Sequence, residues 1–182
     1  LLDRSERDHL IHTHPEAARF VRRLYGSQEL MKGIERWCLW VRPEEVADAR
    51  NIAPLEERFE KVRELRLVSS RAQTVRLAQS PWAFDPQNEA TSHTIMVPAI
   101  TSENRIWLPI DVRAAADIPN NKIYALYDGE IWQAAILSSR LHRLWLETVG
   151  GRLKEDPSYS NQLVWNTFPL PGLTEHRKAE LE

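Results

Sequence analysis

Seven charged or small polar residues crowd a ten-residue segment between two apolar stretches of the chain. They are Arg152, Lys154, Glu155, Asp156, Ser158, Ser160 and Asn161. The preceding stretch, residues 130–149, predicts a helix with Ala134, Leu137, Leu141 and Leu144 on one face, ended by Gly150 and Gly151 in left-handed conformations. The following stretch is the apolar LVWNTFPLP, from which we expect Trp165 and Phe168 to be buried and Asn166 to bond to backbone groups. A helix and an apolar segment would fix the charged loop between them, which suits a recognition element.

A second group of hydrogen-bond donors lies on a predicted helix over residues 54–79. Its apolar residues recur at helical spacing and predict a core face: Leu55, Phe59, Val62, Leu65, Val68 and Ala72. Residues 65–82 contain only basic charges, with hydroxyls between them: Arg66, Ser69, Ser70, Arg71, Thr74 and Arg76. Such donors bind phosphate oxygens. A plain exposed basic helix end explains the same pattern equally well.

Catalytic and metal-binding interpretations are weaker. His142 could act with Ser138 or Ser139, and helical spacing would bring Ser138 within contact of His142. No orienting acid is evident, however, and a serine within a helix is hard to expose as a nucleophile. The spacing of His9, His12 and His14 could suit a metal, yet no cysteine or acidic partner stands at ligand spacing. We therefore predict no catalytic residues and no metal site in this chain.

Composition indicates one globular domain. The chain has 182 residues, seven of them tryptophan, with 42% hydrophobic and 27% charged residues. The formal net charge is −2, so any surface that binds nucleic acid must be a local basic patch. The single cysteine, Cys38, permits no internal disulfide. No membrane span or signal peptide is evident in the sequence, and we expect a cytoplasmic location.

The remaining patterns predict an α+β fold with N-terminal helices, a small mixed β-sheet and a long C-terminal helix packed on it. Short helices are expected from Pro15 to Gly26 and from Arg42 to Asn51. Strands are expected at residues 33–41, 93–100, 104–110 and 122–128, with a turn at residues 119–122. Pro98 indicates an edge or a bulge within its strand.

The strings LSSRLHRLW, GGRLKEDPSYS and VWNTFP, in this order and spacing, resemble the target recognition domain of MmeI-like DNA methyltransferases. Three further stretches fit: RFVRRLYGSQELMKGIERWCLWV, FEKVRELRLVSSRAQTVRLAQSPWAF and SENRIWLPI. The resemblance covers residues 15–171. It implies a connector at 1–14, a recognition domain at 15–171 and a polar tail at 172–182. In this family of type IIL restriction-modification enzymes, one polypeptide joins an endonuclease, an adenine methyltransferase and a domain that recognises DNA.

The resemblance implies sequence-specific recognition of duplex DNA that directs an attached adenine methyltransferase. The chain lacks the methyltransferase's Asn-Pro-Pro-aromatic tetrapeptide, a glycine-rich GxG turn and the nuclease's metal-binding pattern. The catalytic parts and the S-adenosylmethionine site are therefore expected outside this chain, which would bind no cofactor itself. The alternative is a protein-interaction module that uses an exposed aromatic surface.

The family pattern also implies individual roles. Lys154 and Asp156, which follow Gly-Arg-Leu, would contact the bases of one pair from an extended loop, with Ser158 contacting a neighbouring pair and Glu155 directed away. The residues expected on the DNA backbone are Arg66, Ser70, Arg71, Thr74, Arg76, Arg140, Arg143 and Arg152. Arg140 and Arg143 are placed on the polar face of their helix. Arg66, Arg71, Arg76, Arg152 and Lys154 are expected to form one positive cleft.

Overall fold

The computed structural model describes residues 1–170 and 172–182, so the predicted domain end at 171 lies outside the described residues. The helices are α1 (Arg4–Thr13), α2 (Ser27–Lys32), α3 (Val46–Arg50), α4 (Ala53–Leu67), α5 (Ala72–Arg76), α6 (Ile131–Ser138), α7 (Arg140–Val149) and α8 (Glu175–Ala179). The strands are β1 (Val21–Tyr25), β2 (Trp37–Leu39), β3 (His93–Pro98), β4 (Asp111–Ala114), β5 (Ile118–Pro119), β6 (Ile123–Tyr127), β7 (Gly151–Leu153) and β8 (Asp156–Ser158). Short 3-10 turns occur at Pro15–Phe20, Pro43–Glu45 and Leu77–Gln79, and a π-helical turn at Asn161–Trp165. None of the described helices has both the length and the apolar composition needed to cross a bilayer.

The chain divides into two compact units. The first comprises Leu1–Arg23 and Glu35–Asn88, and the second Leu24–Ile34 and Glu89–Glu182. Within the first unit, residues 21–23 of β1 pair antiparallel with β2. Within the second, residues 24 and 25 of the same strand pair parallel with β5. The predicted α+β class is confirmed.

The first unit has an apolar core that includes its N-terminal segment. Asp3 caps α1 by accepting a hydrogen bond from the Glu6 N–H at 2.8 Å, while the Glu6 carboxylate accepts one from the Asp3 N–H at 3.0 Å. The core residues are Leu2, Leu10, Ala17, Phe20, Trp37, Val41, Ala49, Ile52, Leu55 and Phe59. Leu2 and Leu10 of the expected connector, residues 1–14, thus lie in this core, while the domain boundaries stay predictions.

Two predicted helices of the first unit are shorter than expected. A 3-10 turn replaces the helix from Pro15, because the chain enters β1 at Val21 and pairs there with Leu39 of β2. The helix predicted over residues 54–79 ends at Leu67 and resumes briefly as α5. At the break, the Ser69 hydroxyl accepts a hydrogen bond from the Arg71 N–H at 3.2 Å, a local bond that competes with helical pairing.

The second unit is organised around β3, the buried central strand of the antiparallel sheet β4-β3-β6. The predicted strands at residues 93–100 and 122–128 are confirmed. Pro98 lies in the central strand, but beyond Met96, where pairing with β4 ends. The strand predicted at residues 104–110 is wrong: this segment is a loop, and β4 begins only at Asp111.

The long C-terminal helix predicted over residues 130–149 is two helices. Ser139 takes an extended conformation between α6 and α7, and its hydroxyl accepts a hydrogen bond from the His142 N–H at 3.1 Å, which caps α7. The break changes which face of α7 is buried. Leu141 and Leu144, expected in the core, are exposed, whereas His142, Arg143 and Leu146 are buried.

Candidate nucleic-acid interface

The polar segment after α7 forms a tight β-hairpin over residues 151–158. Strands β7 and β8 pair antiparallel in the register Gly151↔Ser158, Arg152↔Pro157 and Leu153↔Asp156. The turn therefore consists of Lys154 and Glu155 alone. Lys154 has a φ of 57°, the positive value that two-residue hairpin turns require at their first position. The expected extended loop is thus a hairpin, and its sharpest bend carries the predicted DNA-contacting lysine.

Close packing fixes where the hairpin leaves α7. A Cβ atom on Gly150 would lie 2.5 Å from the Leu146 carbonyl oxygen, so only glycine fits at this position. Gly150 itself has φ −74° and ψ 164°, an extended conformation. The left-handed helix end predicted at Gly150 and Gly151 is therefore wrong, since Gly33 is the glycine with positive φ among the described residues. Glycine is needed at position 150 because the Leu146 carbonyl oxygen leaves no room for a side chain.

The second strand of the hairpin is anchored to the body of its unit. Pro157 and Tyr159 are buried, and the backbone N–H groups of Thr101 and Tyr159 donate to Pro157 and Ala99 carbonyls at 3.2 and 2.8 Å. The Tyr159 hydroxyl also hydrogen-bonds Nε2 of the buried His142 at 3.1 Å. Because side chains alternate along a strand, Asp156 and Ser158 occupy the opposite, half-buried side of β8. These contacts hold β8, and with it the hairpin, in one position on the second unit.

The residues predicted to contact bases occupy different parts of this hairpin. Lys154 is exposed in the turn, and Asp156 and Ser158 share one side of β8. Lys154 and Asp156 therefore do not lie two apart on one extended segment, and Glu155, in the turn, is exposed as well. The Asp156 Oδ1 atom accepts a hydrogen bond from the Glu103 N–H at 3.2 Å, which orients the carboxylate. Contacts of these residues with bases remain predictions.

The three arginines of the second unit that were expected to contact the DNA backbone differ in their surroundings. Arg140 is exposed at the start of α7. The Arg152 guanidinium donates from Nη1 to the Glu155 carbonyl at 2.8 Å, so it braces the hairpin turn. Arg143 is only 2% exposed, which contradicts its placement on a polar face. Since the helix break at Ser139 turns Arg143 inward, its guanidinium cannot contact DNA from this position.

Buried Arg143 instead holds a surface loop in place. Its Nε and Nη2 donate to the carbonyl oxygens of Arg105 and Glu103 at 3.1 and 3.4 Å, and its Nη1 pairs with the Glu147 carboxylate at 3.1 Å. We call residues 102–107 the Arg105 loop. Its residues Asn104, Arg105, Ile106 and Trp107 are exposed, and its Glu103 N–H holds Asp156. The sequence pattern at residues 104–110 predicts a strand and so misses this loop, although the preceding sequence Ser-Glu-Asn is typical of a turn.

The arginines predicted on the first unit also differ from one another. Arg66 donates to the carbonyl oxygens of Leu77, Ser80 and Ala83 at 2.7–2.8 Å. Burial lowers the pKa of this half-buried guanidinium. These bonds use both terminal nitrogens of Arg66, so its observed role is to clamp the turn after α5.

The other predicted phosphate contacts of this unit lie around the break between α4 and α5. Ser70, Arg71 and Arg76 are exposed and Thr74 is half-buried. Their phosphate contacts stay predictions. Because Arg152 and Lys154 belong to the second unit, the shared positive cleft is also untested.

The catalytic alternative has no structural basis. His142 is fully buried against Tyr159 and Phe168, and burial lowers the pKa of its imidazole to about 4. The Ser138 hydroxyl donates to the Ala135 carbonyl at 3.0 Å rather than facing the histidine. Among residues 1–170 and 172–182, no three His, Cys, Asp or Glu side chains are placed to hold a metal ion.

The protein-interaction alternative requires an exposed aromatic surface, and residues 1–170 and 172–182 do not form one. The described part of the chain includes all seven tryptophans, and of these only Trp107, at 55%, is exposed. The others contribute to packing: Trp37 to the core of the first unit, and Trp145 and Trp165 beside the core of the second. Trp165 and Phe168 are half-buried rather than buried as predicted, and Asn166 is exposed.

Comparison with known proteins places this geometry in a family. Residues 1–172 match the model described as MmeI, target recognition domain. DNA methyltransferase A of Bacillus subtilis (strain 168) is 38% identical over 172 residues, which cover 94% of this chain and 20% of that protein. The solved structure of the type IIL restriction-modification enzyme MmeI in complex with DNA matches with a TM-score of 0.91 and 31% identity, over 98% of this chain and 24% of that one. The chain thus spans less than a quarter of the length of either relative. It belongs to the MmeI target recognition domain family.

Proposed function

We propose that this chain recognises a specific sequence in duplex DNA and thereby directs an attached methyltransferase. The observation that carries the proposal is the 151–158 hairpin, which presents the exposed Lys154 on a rigid turn in a member of a DNA target recognition family. A two-stranded β-ribbon fits the major groove, where every base pair presents a distinct pattern of donors and acceptors. The hairpin has the shape and the side chains for that task.

The chemistry of the hairpin supports direct contact with bases. The Lys154 ammonium can donate to the acceptor edge of guanine, and the Asp156 carboxylate can accept from the exocyclic amine of cytosine. Within the described part of the chain, the Lys154 side chain forms no hydrogen bond or ion pair, and only Oδ1 of Asp156 accepts one. Both groups therefore retain hydrogen-bonding capacity for a partner. We propose that together they select a G·C pair in one orientation, with Ser158 contributing at a neighbouring pair.

The reaction that this recognition directs belongs to other parts of the parent polypeptide. Both relatives are several times longer than this chain, and one is a DNA methyltransferase by name. The chain has six glycines, none in the GxG arrangement of a nucleotide-binding turn, which supports placing the S-adenosylmethionine site elsewhere in the parent. We propose that the attached domain binds S-adenosylmethionine and methylates adenine, that an endonuclease accompanies it, and that the protein acts in the cytoplasm.

The test is a domain exchange in the methyltransferase-bearing polypeptide. The parent is expressed in cells without adenine methylation of their own, and methylated positions are mapped by sequencing. We expect methylated adenine at one defined motif. Replacing residues 1–172 with the corresponding region of the Bacillus subtilis relative should change that motif. An unchanged motif after the exchange would assign recognition to another part of the polypeptide.

A further inference from the structure

A shallow cavity of about 240 Å³ lies between the Arg105 loop and α7, beside the hairpin. Its lining residues are Glu103, Asn104, Arg105, Ile106, Arg140, Leu144 and Glu147. Two exposed arginines thus come together from separate elements, one from the loop and one from the first position of the helix. Their guanidinium groups form no hydrogen bond or ion pair with any described residue, so both are available to an incoming group.

The charge around this cavity favours an anion. Arg105 and Arg140 contribute two positive charges, while the carboxylate of Glu147 is paired with the Arg143 guanidinium at 3.1 Å. The other acidic side chain of the lining, Glu103, has no such basic partner among the described residues. The local balance is positive although the whole chain carries −2.

Hydrogen bonds within the chain hold the lining of the cavity in place. Buried Arg143 fixes the carbonyl oxygens of Glu103 and Arg105, and within the loop the Arg105 N–H donates to the Ser102 carbonyl at 3.1 Å. The Asn104 N–H donates to the Ser102 hydroxyl at 3.3 Å. A binding site that is already ordered loses little conformational entropy when it binds. Rigid support therefore favours a defined contact over a diffuse basic surface.

The same loop is bonded to the hairpin. The Glu103 N–H donates to Asp156 Oδ1 at 3.2 Å, so the cavity and the predicted base-contacting carboxylate are joined through one residue. A duplex that reaches Asp156 through its bases brings its backbone close to this loop. Guanidinium groups bind phosphate oxygens in a planar, often bidentate geometry.

We propose that Arg105 and Arg140 together bind one backbone phosphate of the DNA, next to the base pair that the hairpin contacts. The inference rests on the proposed function, since it assumes a duplex at the hairpin. Arg105 is the new element, because Arg140 alone is a solvated helix residue. The shared phosphate sets the hairpin's register on the duplex without contributing to sequence preference.

The experiment measures the salt dependence of DNA affinity in the methyltransferase-linked polypeptide, with duplexes that carry the methylated motif or a scrambled sequence. The variants are Arg105→Gln, Arg140→Gln, their combination and Glu103→Gln, with Arg177→Gln as control. Arg177 is an exposed arginine of the same unit that lies beyond the family match. Thermal unfolding of each variant checks that these surface changes leave the fold intact.

Loss of one phosphate contact should make the negative slope of log K against log salt shallower by about 0.9. We expect the double variant to show this single decrement, because both arginines bind the same phosphate, and its affinity for both duplexes to fall by the same factor. Glu103→Gln should raise affinity, whereas Arg177→Gln should leave it unchanged. A slope loss of about 1.8 in the double variant would show two separate phosphates and overturn the shared site.

Failure of this inference is distinguishable from failure of the proposed function. If the parent binds its motif in preference to the scrambled duplex but the Arg105 and Arg140 variants behave like Arg177→Gln, the phosphate site is overturned and recognition stands. If the parent shows no preference for any sequence, the proposed function fails. A preference that changes in Arg105→Gln would also overturn the assignment, since a phosphate contact carries no sequence information.

Discussion

Arg152 and Glu155 are joined across the hairpin turn, where Nη1 of Arg152 donates to the Glu155 carbonyl oxygen at 2.8 Å. The bond closes the same two-residue turn that presents Lys154 with its positive φ. A side chain that was expected to contact phosphate is therefore part of the support for the predicted base contacts. The function of the hairpin depends on such support because base discrimination needs donors held at fixed positions.

Replacing Arg152 with leucine should loosen the turn without unfolding the chain. A single exposed hydrogen bond contributes about 1 kcal/mol or less, so the free energy of unfolding should change little. Preference for the methylated motif over a scrambled duplex should fall, because Lys154 loses its fixed position. Binding competition between the two duplexes measures this, with Arg177→Leu as the matched control. Equal losses of affinity for both duplexes would instead indicate a simple phosphate contact by Arg152.

Arg143 and Arg140 provide a comparison within one helix. Arg143→Met removes the donors to two loop carbonyls and the partner of Glu147, and should destabilise the chain by about 1–3 kcal/mol. Arg140→Met, three residues away and exposed, should have a small effect on stability. Chemical denaturation of both variants gives the difference in unfolding free energy. Similar values for the two would mean that the buried guanidinium does not stabilise the Arg105 loop.

Buried His142 predicts a pH dependence of stability. In the unfolded chain its imidazole titrates near pH 6.5, and in the folded chain burial lowers its pKa to about 4. Between these values the unfolded state binds more protons, so the unfolding free energy should fall as the pH drops from about 6.5 to about 4. The contribution of this residue is at most about 3 kcal/mol.

The measurement compares the pH profile of the parent chain with that of His142→Phe, a ring that can occupy the same aromatic environment. The unfolding free energy of His142→Phe should fall less steeply than that of the parent chain as the pH is lowered. His176→Phe, at an exposed position, is the control and should retain the original profile. An unchanged profile in His142→Phe would contradict the assignment of this acid sensitivity to the buried imidazole.

Phe168 should support the hairpin without influencing sequence preference. Its ring contacts His142 and Trp145 at centroid distances of 4.8 and 6.3 Å but is only half-buried. Phe168→Ala should therefore destabilise the chain by less than the roughly 3–5 kcal/mol of a fully buried phenylalanine. Thermal unfolding tests the stability and methylation mapping the preference, with exposed Leu163→Ala as reference. A folded Phe168→Ala protein with a new motif would contradict this role.

The sequence predicts the elements better than it predicts their ends. The strands β3 and β6 follow from short runs rich in β-branched, aromatic and other apolar residues, a composition typical of buried strands. The helix break at Ser139 could not be predicted with certainty because a serine is tolerated in a helix and favoured as a cap, and packing decides between the two. Whether the helix breaks at Ser139 determines whether Arg143 faces solvent or the core.

The candidate site shows the same limit. The polar segment at residues 152–161 stands out from composition, but its hairpin register depends on bonds to distant residues such as Ala99 and Thr101. The Arg105 loop was not predicted because the apolar run Ile106, Trp107 and Leu108 is typical of a strand. Of these three residues only Leu108 is buried. Contacts between residues far apart in sequence thus determine the parts of the site that local pattern does not.

The most direct test of the central claim exchanges the charges on the hairpin, Lys154→Glu with Asp156→Arg, in the methyltransferase-bearing polypeptide. Each base contact is worth roughly 1–3 kcal/mol of discrimination, so the exchange should change the preferred base pair at one position of the motif and leave the others intact. Glu155→Gln, in the same turn, is the control and should keep the original motif. Methylated sites are mapped by sequencing. An active double variant that methylates the same sites with the same preference at every position would contradict base recognition by this hairpin.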